Sequence, residues 1–563
     1  MIIDPAAPLL TTPFPGFRPF ERHEAAIFFG RYDQVNYMLR RLETHPFLVV
    51  VGASGSGKSS LVRAGLLPAL DEGLLFDAGS QWHVAILRPG EDPFRALATA
   101  LSVALAECIG HNDDDRRSLI QAALLSGSHG LSQVVNDAQM APGENVLLFV
   151  DQFEELFSFH STSAWAGQDT ADVLRSKYEK RNSAHAFVNL LLETVRQQSG
   201  QRTSELAASA GGDGSTMKPK CPIFIVLTMR SEYIGYCDAF LGLPEAISER
   251  LFLTPRMNRD QLKDAIVRPL YHFKATADSG LVNRIMNDAD SDQDSLPLME
   301  HALLRTWQKA NERCESELRK EAAGRIKDQM DLQLLKSFQE IELTIEDYEN
   351  AGGFKDALSL HADEAYKEIG RDPQRGEHYQ RISQLLFRSL TRQTDEGMWV
   401  RNPIKVTEAA LIAGASVEEV LHVVEAFRRE GRNFITSSPR DQPLGRDSTL
   451  DISHESLIRR WRILRDWISA EQKDAEIYKQ ISYHARRWEE NNKKRWMLLR
   501  PLLLADNIAW RENLKPTEAW ARRYNNDFSL CMEYLHACVL LRAAFIIFAV
   551  LTLIASLGGQ SSP

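Results

Sequence analysis

Residues 52–59 read Gly-Ala-Ser-Gly-Ser-Gly-Lys-Ser, a gapless fit to GxxxxGK[ST], and no other stretch of the chain restricts the fold so strongly. The pattern works only where an apolar strand runs into a glycine-rich turn that opens a helix. Both flanks are present: residues 47–51 (FLVVV) are continuously apolar, and residues 61–70 (LVRAGLLPAL) are patterned as a helix. Glycines let backbone N–H groups turn inward onto phosphate oxygens, and the helix N-terminus adds its positive end. In that cradle Lys58 reaches the β and γ phosphates of ATP and Ser59 ligates Mg²⁺. Gly52, Ala53, Ser54, Gly55, Ser56, Gly57, Lys58, Ser59 and the following Ser60 form the expected nucleotide-binding set.

A strand, loop and helix of this kind needs partner strands. Apolar runs at 83–87, 146–150 and 223–227, separated by helical patterns, predict a mostly parallel sheet covered on both faces and ending near Thr254 and Pro255. The run at 146–150 leads into Asp151, a carboxylate placed to hold Mg²⁺ beside Ser59. Many P-loop ATPases carry the water-activating acid at the next position, but here it is Gln152, which can orient a water and cannot accept its proton. Glu154 and Glu155 are the remaining acids; a solvated acidic helix start is the plainer account of both. Arg230, just past the fourth run, points at the γ-phosphate from the carboxyl edge of the sheet or else makes a surface ion pair.

At 563 residues the chain exceeds one ordinary core, and about three or four domains are expected. Residues 257–343 read as helical throughout. Helices near 358–369 and 417–429, then short strands at 433–436 and 449–452, predict a winged helix. Residues 198–216 (QSGQRTSELAASAGGDGST) read as a mobile surface insertion. Past residue 470 the pattern is helical and increasingly basic around Arg486, Arg487, Lys493, Lys494 and Arg495, which is ordinarily a solvated face.

Residues 543–557 carry no charge, and the run extends back to 539 if Arg542 snorkels, giving a membrane helix or, alternatively, an apolar packing or dimerisation helix. Arg522, Arg523 and Arg542 precede it, which keeps the N-terminal bulk in the cytoplasm. The first 20 residues contain Asp4 and several prolines where a signal peptide needs a basic patch and an unbroken apolar run. The expected location is the cytoplasmic membrane, single-pass, or the cytoplasm if the helix packs instead. Lys and Arg total 66 against 76 for Asp and Glu, a net charge of −10, so nucleic acid is not an expected partner. The six cysteines form no CxxC pair and have no histidine at metal spacing, as in a reduced cytosolic protein with buried thiols.

Taken together, PGFRPF (15–20), FFGR (28–31), the P-loop with LVRAGLLPAL (61–70), DQFEELF (151–157), LPLMEHALL (296–304) and HESLIRRW (454–461) resemble the novel STAND NTPases over about residue 15 to the early 530s. The resemblance implies an α/β P-loop NTPase core of the AAA+/STAND type followed by a helical lid and a winged helix, to which the residue pattern adds a helical tail and a C-terminal hydrophobic helix. Read together with the residue pattern, the resemblance sets boundaries at 1–24 for an N-terminal extension, 25–255 for the NTPase domain, 256–345 for the lid, 346–470 for the winged helix, 471–536 for the basic tail and 539–557 for the membrane helix. It further implies that Gly30 and Arg31 lie near the adenine, that Pro297 packs on the base, and that His454 contacts the β-phosphate of ADP. From the residues alone, His454 reads as a helix cap and Pro297 as a first-turn proline.

The function so implied is an ATPase switch that binds ATP or ADP with Mg²⁺, hydrolyses slowly and self-associates in the ATP state, in prokaryotic defence or regulation. Such cores are usually joined to an effector or a repeat sensor. This sequence shows neither, which leaves the output to the hydrophobic segment or to a trigger or effector protein. Two rival readings are a DNA-binding ATPase of the origin-recognition type, using Arg459, Arg460, Arg462 and Arg465, and a structural membrane protein with a vestigial site.

Overall fold

The computed structural model describes residues 10–110, 112–160, 171–210, 221–289, 295–321, 340–394, 397–429, 431–438, 444–498 and 501–558. The chain divides into two compact units, with the division at Ala357 and Leu358.

The first unit is organised around a sheet of five parallel strands, β1 (Phe47–Gly52), β2 (Gln81–Leu87), β3 (Glu144–Val150), β4 (Ile223–Arg230) and β5 (Leu251–Leu253). Their order is β2-β3-β4-β1-β5. Along β1, Phe47, Val49 and Val51 enter one apolar cluster while Leu48 and Val50 enter the other, which is why the strand is apolar without alternation. β4 lies between β1 and β3, so the carboxyl ends that carry the P-loop, Asp151 and Arg230 are neighbours. β5 has only three residues, with Leu253 exposed, and is too short to register as an apolar run.

After the P-loop the helix starts at Lys58–Ser60, widens into a π-type turn at Leu61–Leu66 and resumes at Leu67–Asp71. The stretch expected to be an insertion is corrected in part: the helix Ala171–Ala210 runs through most of it, and residues 211–216 lie outside those described. Leu206, Ala207, Ala208 and Ala210 are good helix formers, and extending an existing helix avoids the cost of nucleation. Gln198, in the same stretch, is buried and accepts a hydrogen bond from the Ile223 N–H at 3.4 Å.

Residues 257–343 form helices Arg259–Tyr271, Ser279–Ala289 and Ser295–Glu321, but they are not helical throughout. Ala275–Ala277 and Ile341–Leu343 pair in parallel, two three-residue strands that no periodicity could announce.

In the second unit, helices Gly376–Ser389, Val406–Ala413 and Val417–Arg428 accompany a three-stranded antiparallel sheet. Its strands are Ile404–Lys405, Thr449–Ile452 and Ile435–Ser438, and the whole is a winged helix. The strand expected at 433 starts two residues later because Gly431 and Asn433 take left-handed backbone, with φ of 83° and 49°. Trp461 is fully buried against Phe387 and Phe427, at 4.9 and 5.9 Å between ring centroids.

The tail begins with the helix Arg462–Glu490 and ends with Phe528–Gly558. Buried Glu471 accepts from Arg388 Nε at 2.5 Å, Arg523 Nη1 at 2.7 Å, Trp520 Nε1 at 3.0 Å and the Tyr524 hydroxyl, so one carboxylate ties four residues together. Arg523 is therefore a packing residue rather than a free flank of the apolar segment. Of the basic run, Arg486 pairs with Asp527 and Lys493 with Glu533.

The last helix has two characters. Cys531, Tyr534, Leu535 and Cys538 are buried in a core cluster, whereas Phe545 and Phe548 are 67% and 68% exposed. Phe528–Thr552 is long and apolar enough to cross a membrane. Five of the six free cysteines are buried; Cys108 is only half-buried, contrary to the expectation for all six.

Candidate nucleotide site

The P-loop folds as its glycines require: Gly55 and Gly57 adopt φ of 73° and 84°, a region that side chains disfavour. Lys58 Nζ donates to the carbonyls of Gly52 and Ala53, both at 2.8 Å. Burial pushes its pKa down to about 8, with Arg230 adding to that and Glu154 opposing it.

Ser59 Oγ and Thr228 Oγ1 both donate to Asp151 Oδ1 at 2.7 Å. Asp151 Oδ2 faces Arg63 Nη2 at 3.6 Å and Arg88 Nε at 3.8 Å. Burial favours protonation of this fully buried carboxylate, but Arg88, Arg63 and the two hydroxyl donors outweigh it and hold the group below the usual carboxylate range. Oδ2 is buried without a hydrogen-bond partner among the described residues, so Asp151 with the Ser59 hydroxyl is a donor set that suits Mg²⁺. Ser56 Oγ, inside the loop, is likewise buried without one.

The two acids after Gln152 part company. Glu154 is buried beside Lys58 and Arg230: its Oε1 lies 3.3 Å from Arg230 Nε and its Oε2 accepts from the Arg230 N–H at 3.3 Å. Burial raises its pKa even against the pull of Arg230. Glu155 turns the other way, its Oε2 accepting from the Gly90 N–H at 3.1 Å. Gln152 takes a left-handed φ of 57°, and its N–H donates to Thr228 Oγ1 at 3.0 Å.

The residues assigned to the base have other contacts. Arg31 is buried and donates to the carbonyls of Ser56 at 3.0 Å and Pro255 at 2.8 Å, so its guanidinium braces the P-loop. Gly30 has φ 81°, and a Cβ there would sit 2.4 Å from the Gln261 carbonyl oxygen, so only glycine fits against the helix Arg259–Tyr271. The Ser60 hydroxyl accepts from the Phe20 N–H at 3.2 Å, tying the PGFRPF segment to the P-loop helix rather than facing a ligand. Pro297 lies in the first turn of Ser295–Glu321, whose Leu296 Cδ1 is 4.0 Å from where a Gly57 Cβ would stand. His454 belongs to the second unit, where it caps the helix Glu455–Arg460, its Nδ1 accepting from the Ser456 N–H at 3.2 Å.

Sequence reasoning missed Thr228, Arg63 and Arg88 as neighbours of Asp151. Arg88 directly follows β2 at the carboxyl edge of the sheet, the same position relative to its strand that singled out Arg230.

Residues 13–495 match the novel STAND NTPase 1 family. The chain belongs to that family. This STAND NTPase is a P-loop ATPase, and its P-loop, Asp151 and Arg230 lie where β1, β3 and β4 end. No curated protein matches its sequence. Among solved structures, the Aeropyrum pernix ORC1 protein in complex with DNA is 11% identical with a TM-score of 0.32, over 79% of this chain and 93% of that one. A Walker-type ATPase of Pyrococcus abyssi is 14% identical with a TM-score of 0.31, over 79% of this chain and 98% of that one. Cdc6p from Pyrobaculum aerophilum is 11% identical with a TM-score of 0.28, over 78% and 94%.

Proposed function

We propose that this STAND ATPase is a slow, membrane-anchored signalling switch, closed around ADP and self-associating when ATP replaces it. The observation that carries the reading is the Glu154–Arg230 pair beside Lys58. The acid best placed to activate water is held by an arginine, while Gln152 occupies the position next to Asp151. A base restrained in this way suits a switch that holds its nucleotide rather than an enzyme that turns it over.

In this reading the NTPase domain at 25–255 binds the nucleotide, and the lid at 256–345 and the winged helix at 346–470 follow it in the chain. Lys58 and the P-loop N–H groups bind the phosphates, Arg230 reaches the γ-phosphate, and Glu154 takes the proton of the attacking water. Ser59 Oγ and Asp151 would hold Mg²⁺, which neutralises charge on the β and γ phosphates. Pro297 packs on the base, and Arg31 and Gly30 set the wall of the base pocket by bracing the P-loop. His454 uses Nδ1 as a helix cap, and contact with the ADP β-phosphate is the role that the family resemblance implies for it. A swing from 1:99 to 99:1 between closed and open states needs about 5.5 kcal/mol of differential nucleotide affinity, so His454 supplies only part of it.

The exposed apolar half of Phe528–Gly558 supports a membrane anchor. A DNA-binding reading has weaker support. Trp461 and Trp467 are buried core residues, and Val417–Arg428 begins with Glu418 and Glu419, which phosphates repel. The test is single-turnover hydrolysis by the full-length protein. Slow hydrolysis with ADP retained supports a switch, and rapid product release contradicts it.

A further inference from the structure

At the opposite, amino edge of the sheet, three residues from separate elements converge. His83 lies near the start of β2, Glu144 opens β3, and Cys108 follows the helix Pro93–Ala104. His83 Nε2 is 3.4 Å from Glu144 Oε2 and 3.9 Å from Cys108 Sγ, and all three ligand atoms lie within 4.8 Å of one another. All three residues are half-buried, open enough for an ion to enter.

Their orientation is fixed from behind. His83 Nδ1 is 3.1 Å from the Ala104 carbonyl oxygen, which can only accept. Nδ1 therefore carries the proton, and in the neutral ring the Nε2 lone pair points at a carboxylate. Two acceptors facing at 3.4 Å are relieved by a cation between them or by a second proton on the ring. Glu144 Oε2 is itself steadied by the Ala141 N–H at 2.7 Å. A backbone carbonyl behind the imidazole and a hydrogen-bonded carboxylate are the outer-shell arrangement typical of metal ligands. A second thiol borders the cluster: Cys221 Sγ donates to the Glu144 carbonyl at 3.1 Å.

We propose that His83 Nε2, Cys108 Sγ and a Glu144 carboxylate oxygen form a binding site for a divalent cation of the zinc class. Imidazole, thiolate and carboxylate together suit Zn²⁺. In a tetrahedral site with bonds of about 2.0 to 2.3 Å, ligand atoms stand about 3.3 to 3.8 Å apart. Two of the three separations are already close to that range. The metal takes the place of the Cys108 proton, which burial and Glu144 otherwise hold on the thiol. Six residues of β3 separate Glu144 from Val150, a rise of about 20 Å, so this site is distinct from the phosphate cradle and does not depend on the switch reading.

The experiment is a Co²⁺ titration of full-length protein freed of metal by dialysis against chelator. A thiolate-to-cobalt charge-transfer band that saturates at one equivalent and is displaced by Zn²⁺ is expected. Cys108→Ser should abolish the band while leaving ADP binding intact, and His83→Gln should weaken cobalt binding at least about tenfold. If Cys108→Ser does not fold, His83→Gln carries the test. Absence of the band, or its persistence in both variants, overturns the proposal and leaves His83–Glu144 as an ion pair.

Discussion

Ser59 Oγ donates to Asp151 Oδ1 at 2.7 Å, joining residues 92 positions apart, one in the helix after β1 and the other just past β3, across the intervening β4. That bond brings a hydroxyl and a carboxylate to the place where the β and γ phosphates of a bound nucleotide would lie. Ser59→Ala should therefore weaken Mg²⁺-dependent nucleotide binding by about tenfold or more while leaving Mg²⁺-independent binding nearly unchanged. Isothermal titration with ADP, with and without Mg²⁺, measures both.

Glu154 and Glu155 are separated by one peptide bond and by opposite orientations. Glu154→Gln should retain ATP binding and lower single-turnover hydrolysis by about 10²- to 10⁴-fold. Glu155→Gln should have little effect on the chemical step. The reverse ranking would assign the base to Glu155.

Lys58 gives a pH signature. Its pKa is pushed down to about 8 without nucleotide, so the amine is charged below that pH and neutral above it. Phosphate binding favours the charged form, so binding above pH 8 takes up a proton. Affinity for ADP should be flat below about pH 8 and fall about tenfold per unit above it, since one proton is linked to binding. Lys58→Arg should lose this slope because arginine stays charged. A flat profile in the wild type contradicts the assignment.

Glu471 accepts from four residues inside the second unit, and Glu471→Ala should destabilise that unit by about 3 to 5 kcal/mol, because buried Arg388 loses a compensating charge. Burial raises its carboxyl pKa, but Arg523 and Arg388 with their hydrogen bonds lower it further, so the folded value is depressed. The stability it contributes is present above the unfolded carboxylate pKa and is lost as pH falls through the folded one. Thermal melts across the acid range should show this loss in the wild type and a reduced loss in Glu471→Ala.

The exposed phenylalanines test the anchor. Phe545→Glu with Phe548→Glu should abolish flotation of the protein with lipid vesicles, because carboxylates are costly in the hydrocarbon core. The buried half of the helix around Tyr534 and Leu535 is untouched, so nucleotide binding should persist.

The parallel sheet and the P-loop were legible because β1, β3 and β4 are buried on both faces and so read as unbroken apolar runs. β5 and the pair Ala275–Ala277 with Ile341–Leu343 were not, because three residues carry no period. Within the site, Lys58, Ser59 and Asp151 followed from a local motif whose chemistry dictates spacing. Arg63, Arg88 and Thr228 reach Asp151 only through the strand order, which no short window contains. Arg31 illustrates the same limit: the family resemblance implied a place near the base, and only the structure shows its guanidinium donating to the Ser56 and Pro255 carbonyls. His83 and Cys108 stand 25 residues apart in sequence, with no motif to join them.

The central claim is tested most directly by the nucleotide content and mass of gently purified full-length protein in detergent, with ADP or ATP, for wild type, His454→Ala and Lys58→Ala. The account predicts tightly held ADP on a monomer, a shift to larger assemblies in His454→Ala with ATP, and no shift in Lys58→Ala. An empty site with rapid steady turnover and unchanged mass in every variant would contradict it.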